Sequence, residues 1–183
     1  MQVRFSRMPA AQAHVILCVE GAELPAAAQA EDKASQGAIK RAIATSRFEG
    51  KAGQSVEVIG ASGLSAERVL LVGLGKGTTS PARALEKAGA ISVKHYLTSG
   101  VESIAILEAE ACGFDLAGDV GAYGANASAR VAVGARLAAT RFDDYRTKLK
   151  PNQQPTLKAV EIGATDLAAA EMAYMPLGAA IDG

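Results

Sequence analysis

Polar and apolar residues alternate from Gln2 to Arg7, with Val3 and Phe5 on one side, as in a half-buried edge strand that Pro9 ends. His14 to Glu20 is instead a nearly continuous apolar run bounded by Gly21, which places it inside a sheet. Arg68-Val69-Leu70-Leu71-Val72-Gly73-Leu74-Gly75-Lys76-Gly77 is the strongest such run. It predicts a strand buried on both faces, then a glycine turn, then a helix with Ser80 at the cap and Pro81 at the first helical position. Ser55 to Gly60 alternates again. The six residues from Gly60 to Ser65 are turn-formers, so this strand pairs antiparallel with the one at Val69 to Val72.

Helical spacing runs from about Glu31 to Ser46, with Ile39 and Ile43 inward and Lys33, Lys40 and Arg41 in water. Between this helix and the next strand, Phe48 to Gly53 reads as a turn. The helix from Ser80 towards Ser99 is expected to bury Leu85, Ala88, Ser92 and His95, flanked by Ile91 and Tyr96, with Gly100 closing it. A strand follows at Ser103 to Leu107. A long helix is predicted from Asp115 to Thr140, its Leu116, Val120, Tyr123, Ala127 and Val131 recurring at intervals of three and four. Gly118, Gly121, Gly124 and Gly134 weaken that helix by up to about 1 kcal/mol each relative to Ala, so close packing against a sheet is expected to compensate. Beyond a polar loop with Pro151 and Pro155, Leu157 to Ile162 supplies the last strand, and an Ala-rich helical tail runs from Asp166 to Gly183. The order of elements implies an α/β fold with a mixed sheet and helices on both faces.

Composition narrows the classes. At 183 residues, 49% hydrophobic, the chain is long enough for one well-buried core with at most a short appendage. Lys plus Arg equals Asp plus Glu at 19 each, and Trp is absent. A strong long-range field for nucleic acid and broad stacking platforms for bases are therefore not indicated. Cys18 and Cys112 stand singly, without the spacing of a disulfide framework or zinc ribbon, which fits a reducing cytoplasm. The start lacks the apolar run of a signal peptide, and no segment reaches membrane-spanning length.

Candidate chemistry is sparse. Gly73-Leu74-Gly75-Lys76-Gly77-Thr78 approaches two phosphate-binding motifs and completes neither: Thr78 stands where a dinucleotide fingerprint needs glycine, and Leu70 where a Walker loop needs one. The plainer reading is a tight strand-to-helix turn. His14 and His95 lie within elements and not at metal-ligand spacing. Cys18 reads as packing, whereas Cys112, on an expected loop, is the more accessible thiol but lacks a neighbouring His to activate it. Glu108, Glu110, Asp115 and Asp119 cluster around the end of a strand, where catalytic carboxylates often sit, although helix N-terminal charges and a solvated loop explain them better. Arg136, Arg141, Arg146, Lys148 and Lys150 form a basic run interrupted by Asp143 and Asp144, suited to phosphate or simply to a helix C-terminus.

Three segments, in this order, resemble the N-terminal domain of the leucyl aminopeptidase (cytosol aminopeptidase) family: Phe48 to Gly53, Arg68 to Lys76, and Gly134-Ala135-Arg136-Leu137-Ala138 running into Arg141-Phe142-Asp143-Asp144-Tyr145-Arg146-Thr147-Lys148. The resemblance implies a macro-domain-like, three-layer α/β/α fold over 1–163. It also implies a linker helix over 164–183 leading to a C-terminal peptidase domain absent from this sequence. In the family that second domain holds two metal ions, zinc or manganese, partly through an Asn-Thr-Asp-Ala-Glu-Gly-Arg segment that this chain lacks. No catalytic, cofactor-binding or metal-binding residue carries over, so the chain is expected to be a non-catalytic accessory domain without a cofactor of its own. Its expected partners are the peptidase domain and, by resemblance, a homo-hexamer, in a cytoplasmic setting and away from membranes. The alternative is a module binding DNA or an ADP-ribose-like nucleotide.

Overall fold

The computed structural model describes residues 1–77, 80–116, 126–140 and 154–182. Strands β1 (Gln2–Ser6), β2 (Ala13–Val19), β3 (Ser55–Ile59), β4 (Arg68–Gly75), β5 (Ser103–Leu107) and β6 (Ala159–Gly163) form one sheet in the order β1-β6-β5-β2-β4-β3. β3 runs antiparallel to β4, and every other neighbouring pair is parallel. The apolar patterns anticipate β1 at an edge and β2 and β4 inside the sheet. Alternating β1 and β3 lie at the edges, where one face meets water, and the continuous runs of β2, β4 and β5 are buried on both faces.

Helices α1 (Ala26–Ala34) and α2 (Ala38–Ser46) cover one face, where Ile39 and Phe48 pack on Ile16, Val69 and Leu71. The other face is covered by α3 (Pro81–Tyr96) and α4 (Ala127–Ala139), whose Leu85, Tyr96 and Val131 meet Val15, Leu70 and Ile106. The last helix, α5 (Leu167–Asp182), lies on that side against α4 and β1. This is a three-layer α/β/α architecture with a mixed central sheet.

Five sequence expectations are corrected. The single helix over 31–46 is two helices, because Gln36 and Gly37 adopt φ of 54° and 85° and reverse the chain between them. Asp32, at the end of the first helix, then caps the second through Lys40 N–H at 2.9 Å. The long helix begins at Ala127, not Asp115: Asn126 is its cap, accepting from Ala129 N–H at 2.9 Å, while Asp115 and Leu116 are irregular and 117–125 lie outside the described residues. On α3 the buried residue is Tyr96, and its neighbour His95 is exposed. That helix ends at Tyr96 with Leu97, not Gly100, as its C-terminal cap, and at its N-terminal cap Ser80 accepts Ala84 N–H through its carbonyl at 3.1 Å while its side chain makes no cap hydrogen bond.

Gly134 is the one helix glycine of that set within the described residues, and it faces α3 rather than the sheet. A Cβ at Gly134 would stand 1.7 Å from the Glu86 carbonyl oxygen, and one at Gly89 would stand 2.1 Å from that of Val131. The two helices therefore touch backbone to backbone. The tail helix also does more than trail away: Ala170 is fully buried, and Tyr174 meets Phe5 edge-on at 5.7 Å between ring centroids.

Candidate functional site

The chain leaves β2 towards β4 and leaves β5 towards β6, so the strand order reverses between β2 and β5. In open α/β sheets the crevice beyond the carboxyl ends at such a point is the usual ligand site. Here that crevice lies between Val19 and Glu20 on one side and Leu107 and Glu108 on the other.

A cavity of about 440 Å³ opens here between Ala27, Leu107, Glu108, Glu110 and Thr165, and the chain's own carboxylates occupy backbone donors along it. Glu108 adopts φ of 52°, which turns its side chain towards the start of α1, where its carboxylate accepts the Ala27 N–H at 3.0 Å. A helix N-terminus favours an anion, and this one is supplied by a residue 81 positions away. Glu110 plays a similar part next to it. Its carboxylate takes both the N–H and the hydroxyl of Thr165, and Ser128 Oγ lies 3.3 Å away while donating to Gly163 O at 2.7 Å. Two members of the acidic cluster thus act as acceptors, Glu108 for the start of α1 and Glu110 for Thr165 just before α5 and for the Ser128 hydroxyl on α4. Asp115 sits on irregular chain, and Asp119 lies outside the described residues.

The glycine turn after β4 is engaged as well. Gly73 N–H donates to Gln54 O and Gly75 N–H to Gly50 O, both at 2.8 Å, and Gly75 O accepts from Glu20 N–H at 3.1 Å. A Cβ on Gly73 would fall 2.2 Å from Lys51 O, so glycine is required there for close approach rather than for a positive φ. Two amides of the stretch that resembled a phosphate cradle, those of Gly73 and Gly75, hold the loop around Gly50 to Gln54 in place instead. Two of the three family-like segments are each other's packing partners.

A family model described as "Cytosol aminopeptidase family, N-terminal domain" matches residues 15–149. The chain belongs to this family. It is 41% identical over 174 residues to a "Probable cytosol aminopeptidase" of Caulobacter vibrioides, covering 94% of this chain and 32% of that protein. It thus spans about a third of the length of the curated relatives it matches. Among solved structures it resembles a mutant of tomato leucine aminopeptidase with a TM-score of 0.74 at 19% identity, covering 100% of this chain and 36% of that one. It also resembles a Trypanosoma brucei macrodomain in complex with ADP, with a TM-score of 0.57 at 14% identity, covering 96% of this chain and 67% of the macrodomain. At these identities the two structures establish the fold, which is the macro-like one expected.

Within this cytosol aminopeptidase domain, the basic run from Arg141 to Lys150 falls outside the described residues. Arg136, from the same run, donates to Met1 O at 2.8 Å and so holds the start of β1. Zinc or manganese finds no group of three or more His, Cys, Asp or Glu able to hold it among the described residues. His14 is buried beside Ser65, whose Oγ is 3.1 Å from Nδ1, and Glu31 accepts both the hydroxyl and, at 3.0 Å, the N–H of Ser65. This cluster fastens the β3–β4 loop to α1. Cys112 lies in a short 3₁₀ turn, Ala109–Cys112, and is half-buried rather than accessible. Burial raises its thiol pKa, and it pushes that of Cys18 up to about 12.

One cluster was not anticipated. Glu57 on β3 receives Arg68 through two nitrogens at 2.7 and 3.0 Å and the Tyr96 hydroxyl at 2.8 Å, and lies 3.0 Å from His95 Nε2. Arg68 also stands over the Tyr96 ring, 5.3 Å from its centroid. Burial opposes the charge on Glu57, but the combined hydrogen bonds from Arg68, His95 and Tyr96 outweigh it and hold its carboxyl below the ordinary value of 4.5. The only sequence signal was Glu57 and Arg68 on the two strands of a predicted hairpin, where the register sets Glu57 opposite Leu70 and Arg68 opposite Ile59. The cluster joins an edge strand to the end of α3. No helix among the described residues is long and apolar enough to cross a membrane.

Proposed function

We propose that this chain is a non-catalytic accessory domain, over 1–163, of an aminopeptidase that releases N-terminal residues from peptides. The observation that carries this reading is the state of the crest. The helix N-terminus at the switch point and the amides of the glycine turn, the groups that bind ligands in related architectures, are taken up by Glu108, Gln54 and Gly50. The domain's role is then structural: it shapes access to, or assembly of, a peptidase domain that carries the zinc or manganese ions and forms the hexamer core. In this reading the outer part of α5, where Met172 and Met175 are 74% and 68% exposed, leads towards that domain as a linker, in the cytoplasm. The rival reading, a module for DNA or an ADP-ribose-like nucleotide, would need donors other than the Ala27, Gly73 and Gly75 N–H groups, which are engaged.

The test is an activity and mass measurement on the purified chain. No turnover of a Leu-anilide substrate is expected with added manganese or zinc, and light scattering should give a monomer or weak dimer. Metal-dependent turnover, or a stable hexamer, would refute the accessory role.

A further inference from the structure

A surface groove of about 610 Å³ runs between α3 and α4. Its floor is made of small residues, Ala90, Gly134 and Ala138, beside the place where the two helices touch backbone to backbone. Leu137 stands in it 54% exposed, an aliphatic side chain left more than half in water. Arg83, Lys87 and Lys94 line the α3 side, on one face of that helix. None of the three forms an ion pair among the described residues. The Lys87 ammonium lies beside Gly53, where no carboxylate meets it. The one carboxylate lining the groove among the described residues, that of Glu86, is already held by Arg130 at 3.0 Å. The groove thus combines a surplus of positive charge along one wall with uncovered aliphatic surface on the other.

We infer that this groove docks an acidic amphipathic helix of another polypeptide, its carboxylates facing Arg83, Lys87 and Lys94 and its aliphatic side chains on Leu137 and the small-residue floor. From Arg83 to Lys94 the helix rises about 16 Å, so a single phosphate-sized anion cannot meet all three cations. A nucleic-acid backbone spans that distance but leaves Leu137 and the alanine floor wet. A helix with glutamates one turn apart along one flank and leucines on the next matches both walls, and the small floor lets its axis come close. The inference concerns binding to this chain and does not depend on the accessory role.

The experiment is a titration of the ¹⁵N-labelled chain at pH 7 with the capped peptide acetyl-Glu-Leu-Ala-Ala-Glu-Leu-Ala-Glu-Leu-Ala-Ala-Glu-Leu-Ala-amide, which as a helix carries its glutamates on one flank and its leucines on the next. Two control peptides replace every Glu by Gln or every Leu by Ala. The parent peptide should shift amides from Arg83 to Lys94 and from Gly134 to Thr140, and should bind more weakly as salt rises. The triple variant Arg83→Gln, Lys87→Gln, Lys94→Gln should bind it about tenfold more weakly, the sum expected of three exposed ion pairs. Leu137→Ala should weaken it by about fivefold through lost apolar contact. All four positions are exposed, so the urea midpoints should match that of the parent chain and leave binding as the only change. Shifts confined elsewhere, equal binding of either control peptide, or unchanged binding by the triple variant would overturn the inference. Tighter binding of a DNA duplex at the same amides would assign the groove to nucleic acid, and concentration-dependent shifts without peptide would assign it to a second copy of the chain; either result also overturns it.

Discussion

Replacing Gly134 with alanine separates two arguments that point in opposite directions. By helix propensity alone the change stabilises α4 by up to about 1 kcal/mol, because glycine loses more backbone freedom on folding. The packing says otherwise. The new Cβ would lie 1.7 Å from the Glu86 carbonyl oxygen and 2.5 Å from its carbon, both in the backbone of α3. Neither can move as a flexible side chain would. Reaching an ordinary contact distance requires the two helices to part by more than about 1 Å, and overpacking on that scale costs roughly 1–3 kcal/mol, occasionally more. Parting them also strains the ion pair in which Arg130, only 5% exposed, meets Glu86 at 3.0 Å.

The packing cost therefore exceeds the propensity gain, and Gly134→Ala should destabilise the chain by about 1–2 kcal/mol. In urea, where small proteins lose roughly 1–3 kcal/mol per molar, the midpoint should fall by about 0.5–1 M with an unchanged slope. Gly89→Ala acts on the same interface through Val131 O. Because one separation relieves both clashes, the double variant should cost less than the sum of the singles. A midpoint for Gly134→Ala at or above that of the parent chain would refute the backbone-to-backbone contact.

Two further outcomes follow from the polar clusters. The carboxyl of Glu57 is depressed in the folded chain, so its contribution is fully present above the ordinary value of 4.5 and is lost as pH falls through the lower folded value. Glu57→Gln should thus flatten the acid limb of a thermal-midpoint against pH curve, and an unchanged limb would remove Glu57 as a source of acid sensitivity. Glu108→Ala deprives the Ala27 N–H of its acceptor and should cost about 1–3 kcal/mol in urea unfolding, whereas Glu108→Gln, whose amide oxygen still accepts, should cost distinctly less. Equal losses would mean that charge at the helix N-terminus, and not the hydrogen bond, is what Glu108 provides.

The sheet was legible because its strands differ in how they meet solvent. Continuous β2 and β4 read as internal and alternating β1 as an edge, whereas β6 alternates as well and yet lies between β1 and β5, so its place could not be read from its pattern. Helix phase was less legible. His95 and Tyr96 are adjacent, and the spacing from Leu85 and Ser92 admits either, but Tyr96 alone has both the ring to fill the core and a hydroxyl that reaches Glu57. Apolar spacing also runs unbroken through Ile39, so the reversal at Gln36 and Gly37 was masked, although Gly37 itself was a visible signal. The polar clusters were hidden for a different reason. Glu31 and Ser65 are 34 positions apart, and Glu108 and Ala27 are 81 apart, so no local pattern brings them together.

The glycine turn shows why a motif half-match is informative even when its usual chemistry is absent. A phosphate loop and this turn share the same requirement, a backbone without Cβ that another polar group can approach closely. In a phosphate loop the approaching group is the ligand. Here it is the carbonyl oxygens of Gly50, Lys51 and Gln54, seated against Gly73 and Gly75. Gly50 has its own constraint, a φ of 77° with Val19 O 3.1 Å from where its Cβ would stand. Glycines in both segments are thus explained by one contact, which accounts for their appearing together. The Phe48 to Gly50 side of this contact also lines a cleft of about 610 Å³ at the end of β2, so a glycine required by the packing of one segment fixes a wall of that cleft as well.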